Sequence, residues 1–398
     1  MYSLLSGLSI IEASSFVASP TAGLYLAQMG AEVIRVDQIG GGPDFNRWPK
    51  SDNGASLYWE NLNRAKKSVA LDLTRPEARE ILQELAAKTG QFITNFPVEG
   101  FLSHEKLVTK RADMITLRVM GMADGGSALD YTVNAAVGFP DLTGPGPEPV
   151  NHVLAAWDLL TGAYSAFAMM TALHHRTATG LGQEVRVPLS DVAIGTAANL
   201  GMLAEVLHTD NNRERLGNTV YGAFGRDFIT KDGVRLMIMA ITPRQWTGLV
   251  SVLDIADRVA EIEATRGVSL TQDEGLRFTH RDALFPLVEA KVATWNYADL
   301  KNALDQVGGC YGAYQTMKDA AHDPVLVVKN PLFGDAPNPS GLAYPAAGSL
   351  ATIPQLDRAL PQSAPRLGAH SDETLERVLG LSSGQVATLH DKGLVFQA

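Results

Sequence analysis

The chain has 398 residues, of which 45% are hydrophobic, and a formal net charge of -10. A chain of this size can bury a large core and form two or three domains. Acidic and basic residues are interspersed without a Lys/Arg cluster, which argues against a protein that mainly binds nucleic acid or acidic lipid. A small molecule is therefore the expected partner.

Cysteine content and hydropathy predict a cytoplasmic protein. The single cysteine, Cys310, excludes an intramolecular disulfide and a cysteine-based metal cluster. The first residues, MYSLLSGLSIIEAS, lack the basic start and cleavage site of a signal peptide. Residues 153–173 are long and apolar enough to span a membrane, but they are rich in small residues and contain Asp158. We expect this segment to be a helix buried in a globular domain.

Strands and helices alternate in the first third of the chain. Strands are predicted at LSIIEAS, EVIRVD, SVALDL, QFITNF and MITLRVM. Ser19 and Pro20 predict the start of the first helix, and Thr74 and Glu77 predict a capping box for a second one. This alternation indicates a doubly wound parallel α/β sheet.

Common ligand motifs are absent. The first turn between strand and helix, ASSFVASP, has no G-x-G-x-x-G pattern, and Gly40 to Gly42 predict a turn, so NAD binding is a weak hypothesis. There is no G-x-S-x-G or H-E-x-x-H motif. His174 and His175 lie at a predicted helix end, where a solvated role is expected. No metal site is predicted.

The middle of the chain predicts a smaller domain. Residues 206–222 contain the polar stretch HTDNNRERLGN and predict a linker after a first part at 1–205. A hairpin with its turn at Asp232-Gly233, three helical patterns and a strand at CYGAYQTM predict an α+β domain over 223–325. Residues 326–398 predict a return segment that completes the large domain and carries a final helix at DETLERVLG.

Asp158 is the only acidic or basic side chain between Val153 and Leu173. An unpaired buried carboxylate costs several kcal/mol, and the positive end of a helix dipole would favour its ionised form. Asp158 is therefore either a structural cap or a nucleophilic or acid–base group in a pocket. Arg47 and Arg226 lie in predicted loops and could bind an anion, although exposed arginines are more often ordinary surface residues.

Taken in order, these segments resemble the class III CoA-transferases, the family that includes formyl-CoA transferase, carnitine CoA-transferase and α-methylacyl-CoA racemase. The resemblance covers nearly the whole chain and rests on GLSIIEASSFVASPTAGLYLAQMGAEVIRVD, NLNRAKKSVALDL, ITNFPVEG, DYTVNAA, AAWDLLTGAYSAFAMMTALHHRTATGLGQEVRVPLSD and APRLGAHSDETLERVLGL. It implies an interlocked homodimer with a Rossmann-like large domain built from both chain ends and a smaller α+β domain. It also places the family's catalytic aspartate at Asp158.

The resemblance implies covalent catalysis, in which Asp158 attacks an acyl-CoA thioester to give a mixed anhydride and then an aspartyl-CoA thioester. An incoming carboxylate reverses these steps. CoA is thus part of the substrate, and no tightly bound cofactor is expected. The implied CoA contacts are Val17, Gln38, Leu71, Asp72, Asn95, Phe96 and Tyr131, and Arg47 matches an arginine of the loop after the second strand.

Departures from the family pattern bear on specificity. Val17 replaces a glutamine often found in formyl-CoA transferases, Gln38 replaces a common basic residue, and MAITPRQW stands where those enzymes have a polyglycine loop. FVASP, PVNHVLAAWDLLTG and GNTVYGAFGRDF resemble the members that move CoA between the two carboxyl groups of one mesaconate. Such a reaction needs no mobile flap for acid exchange, and Arg47 and Arg226 become hypothetical partners of the free carboxylate.

Three alternatives remain open. An intermolecular transferase for another dicarboxylate, such as succinate, would keep Asp158 and need a separate acceptor. A racemase would need a histidine base ahead of the aspartate, and none occurs between His104 and His152. A CoA-binding protein that catalyses no reaction is the third alternative, and it would not explain a buried carboxylate that destabilises the fold. The expected partners are the acyl-CoA of a small dicarboxylic acid and a second copy of the chain, with neither nucleic acid nor membrane.

Overall fold

The computed structural model describes residues 1–398, which form two compact units. Unit 1 comprises Met1–Gly138, His152–Asp210 and Pro324–Ala398, and unit 2 comprises Phe139–Asn151 and Asn211–Asp323. None of the helices combines the length and apolar character that crossing a membrane requires.

Unit 1 contains two sheets and the longest helix of the chain. Its strands are β1 (Ser9–Ala13), β2 (Glu32–Gln38), β3 (Lys67–Leu71), β4 (Gln91–Thr94), β5 (Ile115–Met120), β6 (Glu184–Pro188), β10 (Phe333–Pro337), β11 (Ala343–Ala347) and β12 (Val395–Phe396). Its helices are α1 (Ala18–Gln28), α2 (Leu57–Leu62), α3 (Pro76–Thr89), α4 (His104–Lys110), α5 (Asp130–Ala136), α7 (Ala156–Thr179), α8 (Leu189–Asn199), α9 (Met202–Thr209), α16 (Ser371–Leu379) and α17 (Ser383–Asp391), with a π-helical turn at Pro324–Val328.

The main sheet of unit 1 has the strand order β12-β3-β2-β1-β4-β5-β6. Strands β1 to β6 pair in parallel, and β12 pairs antiparallel with β3. The predicted α/β fold with a parallel sheet is therefore confirmed. The direction of winding reverses between β1 and β4, and open sheets of this kind bind ligands outside the carboxyl ends of the strands at that reversal.

Two helices of unit 1 begin at residues other than those predicted. Helix α1 begins at Ala18 with Val17 at the N-cap, so Ser19 and Pro20 lie inside its first turn. Helix α3 begins at Pro76, because proline needs no N–H partner in the first turn and keeps the residue before it extended. The predicted capping box of Thr74 is therefore wrong, and its hydroxyl donates to Asp72 Oδ1 instead (2.6 Å).

Unit 2 is built on an antiparallel sheet in the order β7-β8-β9. Its strands are β7 (Phe224–Ile229), β8 (Arg235–Ala240) and β9 (Cys310–Ala313), and its helices are α6 (Phe139–Leu142), α10 (Pro243–Val252), α11 (Ala256–Arg266), α12 (Glu274–Thr279), α13 (Arg281–Val292), α14 (Tyr297–Val307) and α15 (Met317–His322). The hairpin at Asp232-Gly233 is confirmed. Five helices rather than three join β8 to β9, since α11 and α12 bury too few side chains to show a clear apolar period.

Candidate functional site

Asp158 lies in the first turn of helix α7, whose N-terminal part packs closely on α1. A Cβ atom added to Gly162 would lie 2.7 Å from the carbonyl oxygen of Ala18 and 2.6 Å from Thr21 Cβ, so only glycine permits this approach. Because α1 follows β1 at the reversal of the sheet, the packing brings the start of α7 to the edge where a ligand is expected.

The carboxyl of Asp158 is electrostatically perturbed. Burial and the nearby charge of Asp130 raise its pKa, Arg47 lowers it, and the resulting pKa is about 6. A carboxylate of this kind is ionised at neutral pH yet poorly solvated, which suits a nucleophile or a general base.

A second carboxylate, that of Asp130, caps the helix that carries Asp158. Its Oδ2 accepts hydrogen bonds from the backbone N–H of Trp157 (2.7 Å) and of Asp158 (3.1 Å). The N-cap residue itself, Ala155, has no side chain that could do this. Asp130 is only 2% exposed and comes from the start of α5. Its motif, DYTVNAA, contributes to the family resemblance, but the sequence alone does not indicate that Asp130 caps α7.

Arg47, whose charge acts on Asp158, lies over two aromatic rings. Its guanidinium lies 5.4 Å from the ring centroid of Phe16 and 5.3 Å from that of Tyr58. The hydroxyl of Tyr58 is buried and has no hydrogen-bonding partner. Burial raises the pKa of Tyr58 to about 12, with Arg47 lowering and Asp158 raising it. The hydroxyl therefore remains a protonated donor that a ligand could use. Tyr58 is not among the site residues predicted from the sequence.

A buried ionic network supports the loop that carries Phe16. The backbone of Phe16 has a φ of 69°, and its N–H donates to Asp44 Oδ2 (3.0 Å). Arg35 bonds to Asp44 (3.1 Å) and to Asp37 (2.9 Å). Burial lowers the pKa of Arg35, but the surrounding carboxylates have the larger combined effect and hold this pKa above its usual value. The network fixes the turns after β1 and β2.

The same network contains a fully buried ion pair, Lys66 and Glu12, with 2.8 Å between Nζ and Oε2. Burial lowers the pKa of Lys66 to about 8, against the attraction of Glu12. The amide oxygen of Asn63 accepts hydrogen bonds from both Lys66 (2.9 Å) and Arg35 (3.0 Å). The two cations are thus joined through shared acceptors.

Most of the CoA contacts implied by the family resemblance lie near the carboxyl ends of β1 to β4. They are Val17, Gln38, Leu71, Asp72, Asn95 and Phe96. Gln38 Nε2 donates to Asp72 Oδ1 (3.2 Å), which joins the ends of β2 and β3. Asn95 bonds through both side-chain atoms to the backbone of Ser15 (3.2 and 3.0 Å), which joins the turns after β1 and β4.

The two other predicted positions differ in setting. Tyr131 follows Asp130 at the start of α5, and its hydroxyl donates to the backbone oxygen of Val153 (3.1 Å). Arg226 lies in strand β7 rather than in a loop. Within unit 2 its guanidinium pairs with the carboxylate of Glu289 (3.0 Å) and lies over the ring of Phe228, so its charge is already compensated.

Comparison with known proteins shows the class. The sequence matches the profile of CoA-transferase family III over residues 5–371, and the chain belongs to this family. It is 42% identical to the 2-methylfumaryl-CoA isomerase of Chloroflexus aurantiacus, over 99% of this chain and 98% of that protein. It is 28% identical to a succinate–glutarate CoA-transferase of Agrobacterium fabrum, over 93% and 94%. A crystal structure of a CAIB/BAIF family protein from Brucella suis matches with a TM-score of 0.76 at 25% identity, over 95% of this chain and 100% of that one.

Proposed function

We propose that this protein moves CoA between the two carboxyl groups of mesaconate, the reaction of a 2-methylfumaryl-CoA isomerase, with Asp158 as the nucleophile. The observation that carries the chemistry is the half-buried Asp158 at a capped helix N-terminus beside Arg47. The substrate is suggested by the 42% identity to the Chloroflexus aurantiacus enzyme along the whole chain.

The reaction is a sequence of acyl exchanges at one carboxylate. An oxygen of Asp158 attacks the thioester carbonyl, the C–S bond breaks, and CoA leaves as a thiolate from the mixed anhydride. The thiolate attacks Cγ of Asp158, which releases mesaconate as a dianion and leaves an aspartyl-CoA thioester. After the dianion turns, its other carboxylate attacks Cγ, and the same two steps in reverse give the second regioisomer and free Asp158.

Arg47 and Tyr58 are the groups that we propose for the free carboxylate of the substrate. Arg47 supplies the charge, and the unpartnered hydroxyl of Tyr58 supplies a neutral donor next to it. Arg226 is retained as a second hypothetical partner, which would have to exchange Glu289 for the substrate. The positions proposed for CoA are those of the strand ends, Val17, Gln38, Leu71, Asp72, Asn95 and Phe96, together with Tyr131.

The turn that replaces the polyglycine loop favours an intramolecular reaction. In MAITPRQW, Thr242 and Gln245 form a capping box at the start of α10, with Thr242 Oγ1 accepting from Gln245 N–H (3.2 Å). Gln245 Oε1 accepts in return from the N–H of Thr242 and of Ile241 (3.0 Å each). A turn tied in this way is poorly suited to act as a mobile glycine flap.

We further propose a cytoplasmic, interlocked homodimer with a large domain at 1–205 and 326–398, a linker at 206–222 and a small domain at 223–325. Support comes from apolar side chains that one chain leaves uncovered. On α7, Tyr164 is 53% and Phe167 63% exposed, and Leu207 on α9 is 81% exposed. Such side chains usually mark a contact surface when they are contiguous.

The proposed reaction is tested by giving the purified protein mesaconyl-CoA with CoA on its first carboxyl, together with labelled free mesaconate. Both regioisomers and the label are followed by liquid chromatography and mass spectrometry. We expect isomerisation without incorporation of label. Label in the CoA ester, or no reaction until a second acid is added, would instead identify an intermolecular transferase, the activity named for the Agrobacterium fabrum relative.

Replacing Arg47 with glutamine is expected to raise the pH below which activity is lost. Arg47 lowers the pKa of Asp158, so without its charge the carboxyl becomes protonated at higher pH. The KM for the CoA ester should also rise by about tenfold, because an ionic contact to the free carboxylate is lost. The measurement is kcat/KM as a function of pH, from about pH 5 to about pH 9. Arg47→Lys is the control, since it keeps the charge. An unchanged pH profile in Arg47→Gln would exclude the influence of Arg47 on Asp158, and an unchanged KM would exclude the contact with the free carboxylate.

A further inference from the structure

His152 is linked to the nucleophile through the helix-capping carboxylate, although the proposed reaction does not use it. Its Nε2 lies 3.1 Å from Asp130 Oδ1, the oxygen that does not cap α7. An ionised carboxylate only accepts hydrogen bonds, so Nε2 carries the proton and donates. A continuous path therefore runs from His152 through Asp130 to the backbone N–H of Asp158.

The imidazole of His152 is confined on two further sides. Its centroid lies 6.0 Å from that of the Tyr131 ring and 6.3 Å from that of the Trp157 ring. The His152 side chain is 28% exposed, whereas the Asp130 side chain is 3% exposed. Because Asp130 is almost completely buried, it depends on the protein for its hydrogen bonds, and His152 supplies the one on Oδ1.

The charged and titratable groups around this pair are few. The charge of Asp130 raises the pKa of Asp158 and that of Arg47 lowers it, and Tyr131 lies beside the imidazole. Helices α7 and α8 both pack against α5; α7 contributes Asp158 at this end, and the one charged residue of α8 is Asp191. A negative charge on Asp130 opposes ionisation of Asp158, and a donor on Oδ1 draws that charge away from α7.

We propose that His152 is a positioning residue for Asp158. It fixes the Asp130 carboxylate in the orientation that caps the helix of the nucleophile, and its hydrogen bond weakens the repulsion between the two carboxylates. This inference rests on the proposed function, because it concerns Asp158 as the attacking group. It adds a residue that sets the rate of attack without contacting the reacting atoms.

Two polar substitutions distinguish the effect of losing the hydrogen bond from the effect of changing the size of the side chain. In His152→Gln the amide nitrogen can occupy the place of Nε2 and donate to Asp130, whereas in His152→Asn the shorter side chain cannot reach it. We expect His152→Asn to lower kcat for isomerisation about tenfold, because a misplaced reacting group costs rate rather than affinity, with KM changed less than about twofold. The pH below which kcat/KM falls should move up. His152→Gln should keep most of the wild-type rate and pH profile.

A matched control exists elsewhere in unit 1. His390 Nε2 lies 2.7 Å from Asp372 Oδ1, and the His390 side chain is 31% exposed. His390→Asn removes a His–Asp pair of the same kind away from Asp158, and it should leave kcat and the pH profile unchanged.

The rate of aspartyl-CoA formation, measured by intact-protein mass spectrometry after mixing with acyl-CoA, tests the proposed reaction and the role of His152 separately. If the wild-type protein forms no adduct, the proposed function fails. If it does and His152→Asn forms the adduct at the wild-type rate, or His152→Gln is as impaired as His152→Asn, the positioning role of His152 is overturned. Circular dichroism of each variant establishes that the folded protein is being compared.

Discussion

Replacing Asp158 with asparagine is expected to abolish CoA transfer and, at the same time, to stabilise the folded protein. Asparagine keeps the shape of the side chain but cannot form the anhydride, so the rate should fall by at least about a thousandfold. The gain in stability follows from the pKa. The carboxyl titrates near 3.8 as a model compound and near 6 in the folded protein, so the folded state resists its ionisation.

The sign of the effect follows from linkage. A carboxyl whose pKa is raised by folding contributes most favourably below about pH 4, and this contribution is lost as the pH rises through 6. Above that pH the asparagine variant should be more stable by about 2 to 3 kcal/mol, which for a chain of 398 residues corresponds to a Tm higher by roughly 3 °C. Near pH 4 the difference should vanish.

Thermal unfolding of both proteins between about pH 4 and pH 8 measures this difference. Asp357→Asn, at an exposed position, is the control and should change neither activity nor Tm. Equal stability of wild type and Asp158→Asn at pH 8 would mean that the folded protein stabilises the ionised carboxylate, for example by solvating it. This result would contradict the claim that folding raises the pKa of Asp158.

The main sheet and the position of Asp158 could be predicted because both depend on short-range patterns. Strands β1 to β3 are five to seven residues long, and each contains buried Val or Ile residues. The helix of Asp158 is a long, mostly apolar segment that ends at Gly180 in a left-handed conformation. Strand β12 has two residues, and α17 follows the helix that was predicted to be the last. The strand is too short to be identified from its sequence, and α17, although as long as α16, has a much weaker apolar periodicity.

The residues around Asp158 could not be predicted in the same way, because they are distant in the sequence and come together only in the folded protein. Asp130 lies 28 positions before the amide that it caps, and Lys66 lies 54 positions after Glu12. Arg35 stands within EVIRVD, where a strand pattern accounts for it without assigning a role. Tyr58 became notable only because its hydroxyl is buried without a partner. Each of these observations needs three-dimensional positions.

The buried ionic network makes Gly23 a position where a single methyl group should destabilise unit 1. A Cβ atom at this position in α1 would lie 1.9 Å from Glu12 Oε2 and 3.2 Å from Lys66 Nζ. Glu12 cannot move away without leaving Lys66, and the side chains of both residues are 0% exposed. Breaking a fully buried pair costs about 3 to 5 kcal/mol, whereas alanine gains only about 1 kcal/mol over glycine in a helix. The net effect should be a decrease of about 3 kcal/mol in the free energy of unfolding.

Urea unfolding of Gly23→Ala against wild type measures this loss, which should appear as a lower midpoint with an unchanged m-value. Gly384→Ala is the matched control, because Gly384 is also helical but a Cβ there would meet nothing within 4 Å. The control should be as stable as wild type or slightly more so. If Gly23→Ala were equally stable, Glu12 could be displaced at little cost, and the network would not be what fixes the turn of Phe16 beneath Arg47. Because Phe16 and Arg47 are in contact, the surviving folded fraction of Gly23→Ala should also have a lower kcat than the control.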